Sequence, residues 1–248
     1  GTERVEEDLK VLFPEFRVAR ADRDEIQNRT AMETLIREME NHEIDILVGT
    51  QMIAKGLDFP KLKLVGLVLA DIAFHLPDFR ATERSFQLIT QMSGRSGRHV
   101  QQGEQPGRVL IQTYNPDHPS IQFAIKHDYR GFAEFELSQR EILSYPPFGR
   151  LVSIRGQSLH LNQLEKGMAL LKARALELQS KNPRYEQIEV LGPVEAPIAR
   201  LRGQHRHHML LKGQGAILRP FVSQLLDHDA WIPEHVRLLV DVDPMNLL

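Results

Sequence analysis

Two arginines three residues apart, Arg95 and Arg98 in the segment QMSGRSGR (91–98), are the side chains best suited to chemistry on a polyphosphate. Each guanidinium carries a permanent charge and a fork of donors, and the interleaved glycines remove steric bulk. A helix C-terminus with glycine capping and dipole-stabilising arginines would leave the same trace. A second segment, GTQMIAKGLD (49–58), leaves the end of an apolar run. There Thr50 and Gln51 offer short polar groups and backbone N–H donors suited to a phosphate. Gly56 permits close backbone approach, and Asp58 could accept a hydrogen bond from a ribose hydroxyl. The competing reading is a plain strand-to-helix connection. A third segment, ARLRGQHRHHMLLK (199–212), gathers Arg200, Arg202, Arg206 and Lys212 with His205, His207 and His208. That is the electrostatic footprint of phosphate binding, and the alternative is a solvated hairpin. His205 and His208 have no carboxylate or cysteine near them in sequence, so no metal site is expected. Trp231 is expected beneath the last strand rather than as a base-stacking platform, and Tyr145 at an interdomain joint.

The elements that must position these groups follow two rhythms. Through residues 1–145, short apolar runs at 16–21, 44–48, 64–70 and 108–113 alternate with helical patterns at 30–41, 85–93 and 117–145. Nearly uninterrupted apolar strands between helices predict a parallel sheet covered on both faces, an α/β doubly wound domain. In such a sheet ligands bind at the carboxyl ends of strands, where segment 49–58 begins. Beyond Pro146-Pro147-Phe148-Gly149 the order becomes β-α-β-β-α-β, with strands at 151–157, 188–191, 207–211 and 236–242 and helices at 161–179 and 217–226. This order predicts an α+β split-βαβ, ferredoxin-like plait over 146–248.

Composition narrows the class. The 248 residues are 42% hydrophobic and 26% charged, close to an ordinary globular average, and no cysteine is present. Disulfides, thiolate catalysis and cysteine-ligated metal centres are thereby excluded within these residues. No apolar run approaches the roughly 18–20 residues that span a bilayer, and the charged start GTERVEEDLK does not read as a signal peptide. The net charge of −2 divides unevenly: residues 1–145 hold 18 basic and 23 acidic groups, residues 146–248 hold 13 and 10. An acidic domain is thus followed by a basic one that also carries six of the eleven histidines.

The order T-Q-x-x-x-x-G-x-D, an apolar strand leading to Asp71, and Q-x-x-G-R-x-G-R resembles the second motor lobe of a superfamily-two helicase. GTERVEEDL, VARADRD, GTQMIAKGLDFPKLKLVGLVLAD, YPPFGRL and LLVDVDP extend the resemblance along almost the whole chain. Together they resemble the PriA-type primosomal replication-restart DNA helicases. The resemblance implies a RecA-like helicase lobe over 1–145 and a C-terminal DNA- and protein-binding domain over 146–248. It implies that Gly56 and Asp58 face the nucleotide, that Arg95 and Arg98 reach the γ-phosphate, one as arginine finger, and that Gln91 orients this network. Thr50 and Gln51 would contact DNA phosphates, with Arg200, Arg202, Arg206 and Lys212 adding the C-terminal footprint. Arg23 is expected to be a solvated arginine rather than a DNA contact.

The chain has no Gly-Lys dipeptide, hence no P-loop, and its only Asp-Glu pair, Asp24-Glu25, does not end an apolar strand. The resemblance therefore places ATP and magnesium mostly on a lobe outside these residues, and zinc in a module preceding them. This chain alone is expected neither to hydrolyse ATP nor to unwind DNA. The implied partners are forked or single-stranded DNA, single-strand-binding protein and other primosome proteins, in a monomer of the bacterial cytoplasm associated with the nucleoid and not with a membrane. Two other readings compete: a stand-alone binding module without enzymatic activity, and a small nucleotide-binding regulator.

Overall fold

The computed structural model describes residues 1–22, 29–50, 53, 62–94, 107–228 and 231–247. They divide into two units, Gly1–His75 with Thr82–Tyr129, and Leu76–Ala81 with Arg130–Leu248. The sequence boundary at 145/146 lies inside the second unit.

Short apolar strands between helices pair in parallel in the first unit, as their composition predicts. Strand β1 (Val18–Ala21) lies beside β2 (Ile46–Gly49), with Val18 opposite Ile46 and Ala21 opposite Gly49. The crossover carries helix α2 (Arg29–Glu40), and helix α1 (Thr2–Leu12) precedes β1. Thr2 Oγ1 donates to Asp22 Oδ2 at 2.9 Å, and Arg20 Nη1 meets the same oxygen at 2.7 Å, tying the helix start to the end of β1. A second parallel pair joins β3 (Leu64–Leu67) to β4 (Arg108–Ile111). Strand β3 stops short of the predicted Ala70 because Leu69 turns at φ 53°, an uncommon conformation for a branched side chain. Helix α3 (Asp71–Phe74) follows, then α4 (Ala81–Ser93), which buries Phe86, Ile89 and Met92 at successive helical turns. The helical stretch read over 117–145 is two helices, α5 (Pro119–Ile125) and α6 (Tyr129–Ile142), broken where His127 adopts φ 53°. Helix α5 starts on a side-chain cap: the His118 ring accepts the Ser120 N–H, and Pro119 sits at the first turn.

In the second unit the chain runs β5 (Arg150–Ser158), α7 (Leu161–Lys181), β6 (Glu189–Leu201), β7 (Gln204–Gly213), α8 (Gly215–Leu225) and β8 (Arg237–Val242). The sheet order is β6-β7-β5-β8 and every pairing is antiparallel. One face carries the core: Val152, Ile154, Met209 and Leu211 from the sheet pack on Leu164, Met168 and Leu171 of α7 and Leu218, Phe221 and Leu225 of α8. Gly156 lets α7 approach, since a Cβ there would stand 2.6 Å from Met168 Sδ and 2.7 Å from Leu164 Cδ1. Contacts within the second unit hold segment 76–81. Asp78 accepts from the Leu247 N–H, Arg80 donates to the Pro244 carbonyl at 2.7 Å, and Phe79 stacks on Tyr145.

Candidate nucleic-acid interface

The hairpin of β6 and β7 is much longer than the two short apolar runs that announced it. In its outer half, residues 195–201 and 204–208, apolar and polar residues mix without a strand's period, and Pro197 interrupts one arm. Register shifts between Leu191/Val194 and Glu195/Arg200 bend it, and Arg200 pairs with His205 at its end. The connection is the two residues Arg202 and Gly203, at φ 50° and 81°, the left-handed pair that a tight hairpin turn requires. Arg200 and Arg202 are both exposed there, and Arg200 Nε donates to the Gly203 carbonyl at 3.3 Å, which orients that side chain along the tip. Ile198 and Leu201, each about half exposed, accompany the two arginines.

Arg206 and Lys212, expected on the same positive surface, are instead buried at 4% and 6% exposure. Period-two alternation explains the error: both point to the side of the sheet opposite α7 and α8, where other parts of the unit cover them. Lys212 Nζ donates to the Leu143 carbonyl at 2.6 Å, meets Glu189 Oε2 at 3.0 Å and lies 5.0 Å from the centre of the Tyr145 ring. Arg206 Nη1 reaches the Ile198 carbonyl at 3.4 Å. Burial, reinforced by His207, Arg155 and Arg206, holds the His208 imidazole below its ordinary value, so that ring adds no charge at neutral pH. Trp231 packs against the core of the second unit, with the Arg174 guanidinium 5.0 Å from its ring centre.

The lobe motifs are described only in part. Thr50 is exposed just past the carboxyl end of β2, and its carbonyl accepts from the Ile53 N–H at 3.1 Å. Gln91 is exposed in the last turn of α4, where Gly94 N donates to the Thr90 carbonyl at 3.0 Å. Arg23, Gln51, Gly56, Asp58, Arg95 and Arg98 lie outside the described residues. Asp71, read as a strand end, opens α3 and is buried. It accepts from Thr113 Oγ1 at 2.9 Å and from the Tyr114 N–H at 3.0 Å, fastening the exit of β3 to that of β4. Burial pushes its carboxyl up, but these donors outweigh burial and hold it below the usual value. Segment 76–80 was not singled out in the sequence; Phe79 between Asp78 and Arg80, in a loop, was the available signal. Among the described residues, no group of three or more His, Asp or Glu is placed to hold a metal ion, and no helix is long and apolar enough to cross a membrane.

Two family descriptions divide the chain in the same order as these elements. Residues 2–100 match the helicase conserved C-terminal domain, and residues 141–245 match the primosomal protein N C-terminal domain. The replication restart protein PriA of Bacillus subtilis is 39% identical over 251 residues, an alignment covering all of this chain and 30% of that protein. PriA of Synechocystis is 39% identical and PriA of Treponema pallidum 40%, again across all of this chain and over 28% and 36% of those proteins. The chain belongs to the PriA family, matching its C-terminal part. It spans about a third of the length of the curated PriA relatives it resembles. The exposed hairpin arginines Arg200 and Arg202 fall in the stretch matched to the primosomal domain, and Thr50 and Gln91 fall in the stretch matched to the helicase domain.

Proposed function

We propose that this chain is the C-terminal part of an ATP-dependent, 3′-to-5′ superfamily-two DNA helicase that recognises stalled or branched forks and restarts replication through primosome assembly. The supporting observation is that this chain matches a helicase domain and then a primosomal domain, and that PriA relatives align along all of it. In this reading the first unit is a RecA-like lobe. Thr50 and Gln51 lie along DNA phosphates, and Gly56 and Asp58 face the nucleotide. Arg95 and Arg98 supply γ-phosphate charge stabilisation, one as arginine finger, with Gln91 orienting them. Such a finger contributes about 10³–10⁵ in rate in well-studied phosphoryl transfers. ATP with magnesium is held mainly by a P-loop lobe outside these residues, and zinc by a further module. The chain by itself then turns over no ATP.

The second unit is read as a split-βαβ plait. Its two helices on one face and its strand order, with the first strand between the third and the fourth, support that reading. Its exposed Arg200 and Arg202 meet DNA phosphates, a contact that positions without reading sequence. Single-strand-binding protein and primosome proteins are its other expected partners, in a monomeric, cytoplasmic, nucleoid-associated protein. The test is steady-state ATP hydrolysis with and without forked DNA. The purified chain should show no DNA-stimulated turnover. In the full-length protein, Arg98→Ala should abolish turnover while DNA binding persists. Turnover by the chain alone, or joint loss of both properties in Arg98→Ala, contradicts the assignment.

A further inference from the structure

Residues 76–81 lie in sequence between two helices of the first unit, yet they belong to the second. The chain leaves α3 (Asp71–Phe74), enters the second unit at Leu76 and leaves it again as α4 (Ala81–Ser93). The groups that hold it there stand far away in the chain. Asp78 takes the Leu247 N–H, Arg80 donates to the Pro244 carbonyl, and Phe79 lies on Tyr145.

The same stretch starts α4. The Asp78 carbonyl accepts the Ala81 N–H at 2.9 Å, and Asp78 Oδ1 accepts the Arg80 N–H at 2.9 Å. A carboxylate at this end of a helix is favoured by the helix dipole and by amides that lack an intrahelical partner. One Asp78 oxygen thus serves the start of α4 and the other the Leu247 amide. Asp78, Ala81, Pro244 and Leu247 are all buried, so the junction is packed.

Helix α4 has 13 residues, about 20 Å, and Gln91 sits in its last turn. Over that length a tilt of about 5° at the start moves the far end by about 1.7 Å. Misplacing a group that acts in a transition state by about 1 Å can cost about a hundredfold in rate. Phe86, Ile89 and Met92 seat the helix on buried apolar surface, but apolar contact is non-directional. The hydrogen-bonded first turn sets where along that seat the helix rests.

We propose that Phe79 and Arg80 are positioning residues for ATP hydrolysis by the full-length helicase. By clipping residues 76–81 to the second unit they set α4, and with it Gln91, for the reaction at the nucleotide. This role rests on the reading of the chain as part of an ATP-dependent helicase with Gln91 in its nucleotide-facing segment. Neither side chain is assigned a contact with nucleotide or DNA. Loosening the clip therefore lowers kcat and kcat/KM equally, the mark of an interaction made only in the transition state.

The experiment is steady-state ATP hydrolysis by the full-length protein at saturating forked DNA, with DNA affinity and a thermal melt measured on the same samples. Phe79→Leu keeps most of the apolar area and removes the ring stack. Arg80→Met keeps the stem and removes the donor to Pro244. Each should lower kcat about tenfold and leave KM for ATP and the DNA affinity within about twofold, in a protein still folded at the assay temperature. Phe79→Tyr keeps the ring and should retain the unaltered kcat. Unchanged kcat in Phe79→Leu and Arg80→Met overturns the proposal, as does a kcat that falls only together with DNA affinity. A Phe79→Tyr variant as impaired as Phe79→Leu overturns it too. In each of these cases the clip is a structural staple only, and the helicase reading stands as long as the unaltered protein hydrolyses ATP. Absence of DNA-stimulated hydrolysis in the unaltered full-length protein overturns that reading and this role with it.

Discussion

The rings of Phe79 and Tyr145 stack face to face, centroids 4.9 Å apart and planes within 2°, joining a loop that precedes α4 to the residue before Pro146. Three cations surround the stack: Arg80 and Arg140 lie 4.2 and 5.1 Å from the Phe79 ring centre, and Lys212 lies 5.0 Å from that of Tyr145. Cations over an aromatic pair that is partly withdrawn from water are attracted to both ring faces. Arg140 is itself paired with Glu136 at 2.9 Å, which fixes one of the three.

Phe79→Ala removes the stack and two cation–π contacts and should cost the second unit about 2–4 kcal/mol. Phe79→Leu retains most of the buried area and should cost less than half of that. Urea denaturation followed by the fluorescence of Trp231, which belongs to this unit's core, reads the difference.

Asp78 is 7% exposed and accepts from the Leu247 and Arg80 N–H groups at 3.1 and 2.9 Å. Asp78→Ala leaves the Leu247 amide without its partner and should cost about 1–3 kcal/mol. Hydrogen exchange at Leu247 should accelerate strongly, with the amides of α7 unchanged.

Lys212→Met keeps the stem and removes the charge that meets the Leu143 carbonyl and Glu189. Because Lys212 is buried, the change should lower stability by about 1–3 kcal/mol and leave the salt slope of DNA binding as it was. A slope reduced by about one would return Lys212 to the DNA surface.

The His118 imidazole is held below its ordinary value by burial and then by nearby His75, against the pull of Asp71. It stacks on Phe74 at 4.1 Å and in its neutral form accepts the Ser120 N–H that caps α5. A histidine whose folded value is depressed stabilises the fold above its unfolded value, near 6.5, and loses that contribution as pH falls toward the folded value. The cap of α5 should therefore weaken on acidification below about pH 6.5. An NMR titration of the His118 ring should give a midpoint below the ordinary imidazole value of about 6.5, and His118→Asn should remove the acid sensitivity of α5.

The elements were legible where burial writes a simple period. Ile46–Gly49 and Leu151–Ser158 are apolar on the faces they bury, and the helix of 161–181 shows its stripe at Leu164, Met168, Leu171 and Ala175. Composition hides a backbone break such as His127, because no glycine or proline stands beside it to mark the break. It also hides the outer hairpin, where Glu195 and Arg200 hold strand pairing without a core beneath them. For the site, Arg200 and Arg202 are both exposed, but Arg200 ends strand β6 and only Arg202 sits in the turn, where a loop and the following strand were expected. Arg206 and Lys212 look identical to them in sequence, and only alternation across a sheet of known register sends them inward. The partner of Lys212, the Leu143 carbonyl, is a backbone group that no residue type reveals.

The most direct measurement is the affinity of this chain for forked DNA as a function of salt, for the unaltered protein and for Arg200→Glu/Arg202→Glu. A logarithmic plot of affinity against salt should have a clearly negative slope, smaller by about two in the double variant. Salt-independent binding, or a double variant whose affinity and slope match the unaltered chain, would contradict it.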